Sequence, residues 1–167
     1  MRRTVLAVTI SSGLIGSVIG IAGPAAAGDA RTCTSSIIGQ VVGSVTVPSG
    51  ATCEVIATVV HNSVLVRPGG SLVIRNSNVG KNISATNPSY LEVYKMKVFG
   101  NVTSSGGAGM QLEKSVVSGD VDVFNSAGPT IHKNYIGGNL ECANNSGIGG
   151  NSNHVKGMAT TQCRGMA

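Results

Sequence analysis

Val45, Val64, Ile83, Val102, Val121 and Leu140 recur at a constant interval of nineteen, five steps in succession with no insertion. The position two before each reads Gly43, Asn62, Lys81, Gly100, Gly119 and Gly138, and continues to Gly157. The position between reads Ser44, Ser63, Asn82, Asn101, Asp120 and Asn139. A third column is Val60, Val79, Val98, Val117, Ile136 and Val155, with Val41 as its backward extension. A fourth is Val55, Ile74, Val93, Leu112 and Ile131, broken at Gly150, and a fifth is Cys53, Leu72, Leu91, Met110, Pro129 and Ile148. Five columns in register over six units exclude coincidence in an aliphatic-rich chain. A strict period of this length signals an architecture of stacked repeats.

Within a unit, apolar positions alternate with polar ones, as at 45 and 47 and at 53 and 55, and many are β-branched. That pattern reads as short strands. Turn-forming residues separate them: Pro48-Ser49-Gly50, Pro68-Gly69-Gly70, Asn87-Pro88, Gly106-Gly107 and Asn125-Ser126. Nineteen residues are too few for a strand, a full helix and their loops, but suit three short strands with tight turns. One unit cannot bury its aliphatic side alone; stacked units can, at about 4.8 Å per coil. The expectation is an all-β, single-domain parallel β-helix of about six coils, roughly 29 Å long. The right-handed preference of parallel crossovers makes that hand the expected one.

Composition agrees. The 167 residues include 24 Gly and no Trp, with 41% hydrophobic, 3% aromatic and 11% charged residues. A disordered chain would be more charged and less aliphatic, and a collagen-like chain would carry Gly at every third position. The core has to be built from Val, Ile and Leu.

Residues 1–27 read as a secretory signal peptide: Arg2 and Arg3, an apolar stretch from Thr4 to Ile21, the break at Gly23-Pro24, and the small residues Ala25-Ala26-Ala27. A membrane anchor fits less well, since no stop-transfer charges follow. The β-helix domain would then be residues 28–167, and the formal charge would fall from +5 to +3. The basic balance therefore does not argue for a nucleic-acid partner. No second long apolar segment follows, so no membrane span is expected after cleavage.

Four cysteines fit an oxidising destination. Cys33 and Cys53 are twenty positions apart, and Cys142 and Cys163 are twenty-one apart, each about one coil. Both pairs fall within the roughly 4.4–6.8 Å Cα separation of a disulfide. The other pairings would span about five to seven coils, roughly 22–33 Å. The expected bridges, 33–53 and 142–163, staple the two ends. Zinc is the weaker alternative, as the pairs are far apart and neither has C-x-x-C spacing.

The signal-peptide features, the steps Gly100-Asn101-Val102, Gly119-Asp120-Val121 and Gly138-Asn139-Leu140, the stretch Pro48-Ser49-Gly50-Ala51-Thr52-Cys53 and the segment Gly137 to Cys142 carry a resemblance to small secreted parallel β-helix proteins of actinobacteria. The resemblance covers essentially the whole chain after residue 27. It implies a right-handed β-helix. The wider class holds pectate lyases and polygalacturonases, but also adhesins, phage tailspikes and bactofilin-like scaffolds, so the fold alone does not select a function.

The outward columns carry any chemistry. Asp120 and Asp122 share a strand, and Glu141 follows Asp122 by one full period. Three carboxylates within a few ångströms raise at least one pKa, as general acid–base chemistry or Ca²⁺ binding can use. They are the catalytic candidates of an alternative reading, a glycoside hydrolase or lyase. Against it, the strict period leaves no loop insertion to build a cleft. Lys95, Lys114 and Lys133 form a basic column on three consecutive coils, with Arg75 and Lys97 a position or two off the line. A polyanionic wall polymer or acidic polysaccharide would relieve their mutual repulsion. Otherwise their stems cover a corner and their heads enter water. Tyr90 and Phe124 lie near turns and are placed to stack on a sugar, whereas the five aromatics form no single line and no Thr-x-Thr ladder exists. The column Thr58, Ser77, Ser115, Asn134 and Asn153 suits an inward hydrogen-bonded ladder at a corner, interrupted by Met96. His61, His132 and His154 fall in different columns, and no phosphate-cradling Gly motif opens a helix, so no metal or cofactor is expected.

The sequence thus predicts a secreted or cell-wall-associated, non-catalytic structural or adhesive rod. Wall-polymer binding is its more specific form. Only ten residues follow Gly157, which leaves end-to-end association through an uncovered last coil as a further expectation.

Overall fold

Alternating β-branched residues put their apolar side chains on one face of each strand, and parallel stacking closes those faces around a common interior. The computed structural model describes residues 28–167; residues 1–27, where a signal peptide is expected, lie outside the described residues. These form a parallel β-helix of three sheets. The first sheet has eight strands, running from Ala30–Thr32 and Ser44–Val47 to Leu140–Ala143 and Ala159–Thr161. The second has seven, from Ser36–Ile38 and Thr52–Ile56 to Gly149–Asn151. The third has seven short ones, from Val41–Val42 and Val59–Val60 to His154–Val155. Each coil contributes one strand to each sheet in turn.

The register follows the periodic columns through the body of the rod. Val45, Val64, Ile83 and Val102 pair in series, as do Leu72, Leu91 and Met110, and Val60, Val79 and Val98. All of these side chains are buried. Layers of mainly Val, Ile and Leu fill the interior, and no aromatic ring is among the buried residues.

Two details depart from the sequence reading, and a third, the break at Gly150, finds its cause. The rod has seven three-strand coils among the described residues, not six. The additional one is the first. It pairs Ala30 with Ser44 and Ser36 with Glu54, shorter steps than the period, and so falls outside it. For the same reason the backward extension of the third column is Val42, not Val41. Val42 pairs with Val60 and is buried, whereas Val41 pairs with Val59 and is 48% exposed. The break at Gly150 has a local cause. Gly150 stays in register with Ile131, but a β-carbon there would crowd the Ile131 carbonyl and the Met166 sulfur.

Met166 belongs to the tail, which packs against the last coil. Its carbonyl accepts the Asn153 backbone N–H at 3.2 Å and Asn153 Nδ2 at 2.8 Å. Gln162 receives the Asn145 N–H and donates Nε2 to the Asn145 carbonyl, both at 2.9 Å. The tail thus caps the last coil at Asn145 and Asn153, while Gly149–Asn151 and His154–Val155 remain the end strands of their sheets. Both expected disulfides are present, Cys33–Cys53 and Cys142–Cys163, with Cα separations of 5.5 and 5.4 Å. No helix of the described residues is long and apolar enough to cross a membrane.

Candidate functional site

The turn from the second to the third sheet takes two residues per coil, and each does a separate job. The first is Ala57, Asn76, Lys95, Lys114, Lys133 or Ser152, and every one adopts a positive φ of 48 to 57°. This left-handed conformation costs a non-glycine residue about 1–2 kcal/mol. It redirects the chain through the corner so that the second residue points inward. That second residue belongs to the polar column, and the ladder expected there exists. The backbone N–H of Thr58 donates to Ser77 Oγ at 3.0 Å, that of Met96 to Ser115 Oγ at 3.1 Å, and that of Ser115 to Asn134 Oδ1 at 2.9 Å. Met96 does not break the series: its sulfur accepts the Ser77 N–H at 3.3 Å.

The corner places Lys95, Lys114 and Lys133 in line along one edge of the rod, on successive coils. Their ammonium groups are not equivalent. Lys114 Nζ lies 2.8 Å from Glu113 Oε1 and 3.4 Å from the Tyr94 hydroxyl. The Tyr94 ring has Lys95 Nζ 5.3 Å and Lys114 Nζ 5.2 Å from its centroid, so it sits between two cations. Glu113 is held below its ordinary pKa by the hydrogen bond from Lys114, with smaller help from Lys133 and His132. Arg75 and Lys97 do not extend this edge. Arg75 lies on the second sheet and is committed to Glu92, while Lys97 lies on the third sheet with its ammonium 4.7 Å from the Phe99 ring.

Beside the lysine edge, the outward face of the second sheet carries a polar network that column-by-column reading missed. Arg75 grips Glu92 with two hydrogen bonds, Nε to Oε1 at 2.6 Å and Nη2 to Oε2 at 3.0 Å. Glu92 is only 9% exposed. The Tyr90 hydroxyl lies 3.5 Å from Glu92 Oε2 and 3.2 Å from Gln111 Oε1. Burial, and then the adjacent Glu92 carboxylate, raises the Tyr90 pKa. Arg75, Glu92, Tyr94, Gln111 and Glu113 line a depression of about 310 Å³. Arg75 and Glu92 stand two short of a full period apart, a diagonal contact between adjacent coils, and the sequence signal for it is the opposite charge at that offset.

The acidic candidates lie on the first sheet. Asp122 and Glu141 are register partners on neighbouring strands. Asp120 sits at the coil corner, where its Oδ1 accepts the Asn139 N–H at 2.7 Å. The Asp122 carboxyl is pushed above its ordinary pKa by burial first, then by Asp120 and Glu141, against a weak hydrogen bond from Thr103. The described residues contain no group of three His, Cys, Asp or Glu side chains arranged to hold a metal ion. Phe124 ends a strand of this first sheet, so it and Tyr90 stand on different faces.

Comparison with family models, curated proteins and solved structures found no match for the chain.

Proposed function

We propose that the protein is a secreted, non-catalytic rod of the cell surface or extracellular space that binds a polyanionic wall polymer along the Lys95–Lys114–Lys133 edge. The observation that carries this reading is the corner itself. The repeat sets three lysines about 4.8 Å apart in a straight line, and rigid backbone on both sides fixes their origin. A linear polyanion bound there meets Lys95 and Lys133 on either side of Lys114, whose charge Glu113 partly offsets, and its own charge relieves the repulsion along the edge. The two disulfides accord with an oxidising destination. Retention of the protein on immobilised heparin and on an anionic wall polymer tests the reading. Replacing the three lysines together by Ala should lower the eluting salt concentration markedly; unchanged elution overturns the proposal.

The competing reading, a polysaccharide-active enzyme using Asp120, Asp122 and Glu141, draws on the raised Asp122 pKa beside Glu141. It is the weaker one. Asp120 Oδ1 is occupied by a backbone N–H, and the depression lies on another sheet. Release of reducing ends from a polysaccharide panel, abolished by Asp122→Ala, would establish the enzyme and displace the non-catalytic reading.

A further inference from the structure

We propose that the depression on the second sheet seats one sugar ring of an acidic glycan whose charged groups lie along the lysine edge. This rests on the polyanion reading and names the class of polymer. The first support is pre-organisation. Arg75, Glu92, Tyr90 and Gln111 are held by each other before any ligand arrives. A site fixed this way loses little entropy on binding. The second support is the set of groups left over. Gln111 Oε1 faces the Tyr90 hydroxyl, so the Gln111 amide protons have no protein partner among the described residues. Arg75 uses Nε and Nη2 on Glu92 and keeps Nη1. Glu113 meets Lys114 through Oε1 and keeps Oε2. Fixed donors and a fixed acceptor beside an aromatic ring match a ring of hydroxyls.

Charge and size exclude the simpler ligands. Glu92 neutralises Arg75, and Lys114 neutralises Glu113, so the wall is close to electroneutral and has no excess charge for a bare inorganic anion. At about 310 Å³ the depression stands at the lower end of the roughly 300–1,000 Å³ of small-molecule sites, suited to a single ring. Lys114 directly follows Glu113 in the chain. A ring in the depression thus places an attached carboxylate or sulfate beside the lysines.

The test compares the parent protein with Gln111→Ala and Tyr94→Ala, after thermal melting has shown that both variants fold. The probes are four acidic glycans, polygalacturonate, alginate, hyaluronan and heparin, and a sugar-free control, inorganic polyphosphate. At least one glycan should bind the parent about tenfold more tightly than polyphosphate does, with the preference kept at high salt. Gln111→Ala should remove that preference while leaving polyphosphate affinity unchanged, and Tyr94→Ala should also remove it. If polyphosphate binds as tightly as every glycan, or if Gln111→Ala changes nothing, the sugar site is overturned and the polyanion edge stands. If no polymer binds, both proposals fall.

Discussion

Asn101 Oδ1 accepts the backbone N–H of Asp120 at 3.0 Å and occupies the space that a β-carbon on Gly119 would need. The arrangement recurs along one corner. Asn82, Asp120 and Asn139 each accept a backbone N–H from the next coil, at 2.9, 2.7 and 3.0 Å. Gly100, Gly138 and Gly157 each lie under one of these side chains, with no room for a β-carbon. Where the earlier coil offers a shorter Ser, at Ser44 and Ser63, the matching position of the next coil is not Gly but Asn62 and Lys81. The recurring glycine thus sits where the Asn or Asp side chain and the backbone one coil earlier leave no space for a β-carbon.

The coupling is measurable. Gly119→Ala should destabilise the protein by about 2–3 kcal/mol, the range of strong steric core defects. Asn101→Ser should cost less, since a hydroxyl still reaches the corner. In the double variant the losses should not add, and the interaction energy should exceed about 1 kcal/mol in denaturant titration. Strict additivity would mean that the clash lies with the Gly100 backbone and not with Asn101.

The period that revealed the rod also limited what the sequence could reveal. Straight columns such as Val45 to Leu140 need only a comparison at one fixed interval, and each side chain in that one is buried in the structure. Contacts that cross columns fall short of the period, by two positions for Arg75 and Glu92 and by one for Asn101 and Gly119. The first coil pairs at steps of 14 and 18 residues, so it falls outside the period, which put Val41 in the place of Val42. Met166 fills the slot at Gly150 from a tail with no repeat character. The lysine column repeats at the full period and was legible, whereas the Arg75–Glu92 and Tyr90–Gln111 contacts beside it run off the period and were not.

The C-terminal bridge tethers the tail to the last coil, closing a loop between residues 21 apart in sequence. Loop-closure entropy puts its contribution at about 3 kcal/mol. In a repeat protein such a loss stays local. Replacing Cys142 and Cys163 by Ala should therefore speed hydrogen exchange of amides in Leu140–Ala143 and Gly149–Asn151, with amides in Val64–Val66 unchanged. Uniform acceleration along the rod would show instead that all coils unfold as one unit.

The left-handed corner gives a gain-of-stability prediction. Ala57 has φ 48° and no side chain that the corner uses. Ala57→Gly removes the steric cost of that conformation and adds the smaller entropic cost of glycine. The net should be about 0.5–1 kcal/mol of added stability, read as a rise of a few degrees in Tm. A fall in Tm would mean that the corner tolerates its alanine without strain.

Met96 tests the interior ladder. Its sulfur receives the Ser77 N–H, for which no other acceptor is present among the described residues. Met96→Leu keeps the apolar volume but orphans a buried donor, which costs about 1–3 kcal/mol. Met96→Asn should be better than Leu, because Asn at the same corner already accepts the N–H of Ser115 and donates to the Leu112 carbonyl. The order Leu below Asn in thermal melts supports the ladder; the reverse order would make burial of the methionine the dominant effect.

Asp122 sets a pH dependence with a definite sign. Its folded-state pKa is raised, by burial first and by Asp120 and Glu141 after it, so the folded protein holds this proton more tightly than the unfolded chain does. The associated stability is fully present below the unfolded carboxylate pKa and is lost as pH rises through the higher folded value. Asp122→Asn removes the titration while keeping the shape, and so should raise Tm at neutral pH and leave it nearly unchanged at pH below about 4. Glu113 runs the other way: its lowered pKa supports the fold above the ordinary carboxylate range and is lost on acidification. The difference in Tm between parent and Asp122→Asn should therefore open between acid and neutral pH, whereas a difference that is constant across the range would assign the effect to packing against Thr103 and not to charge.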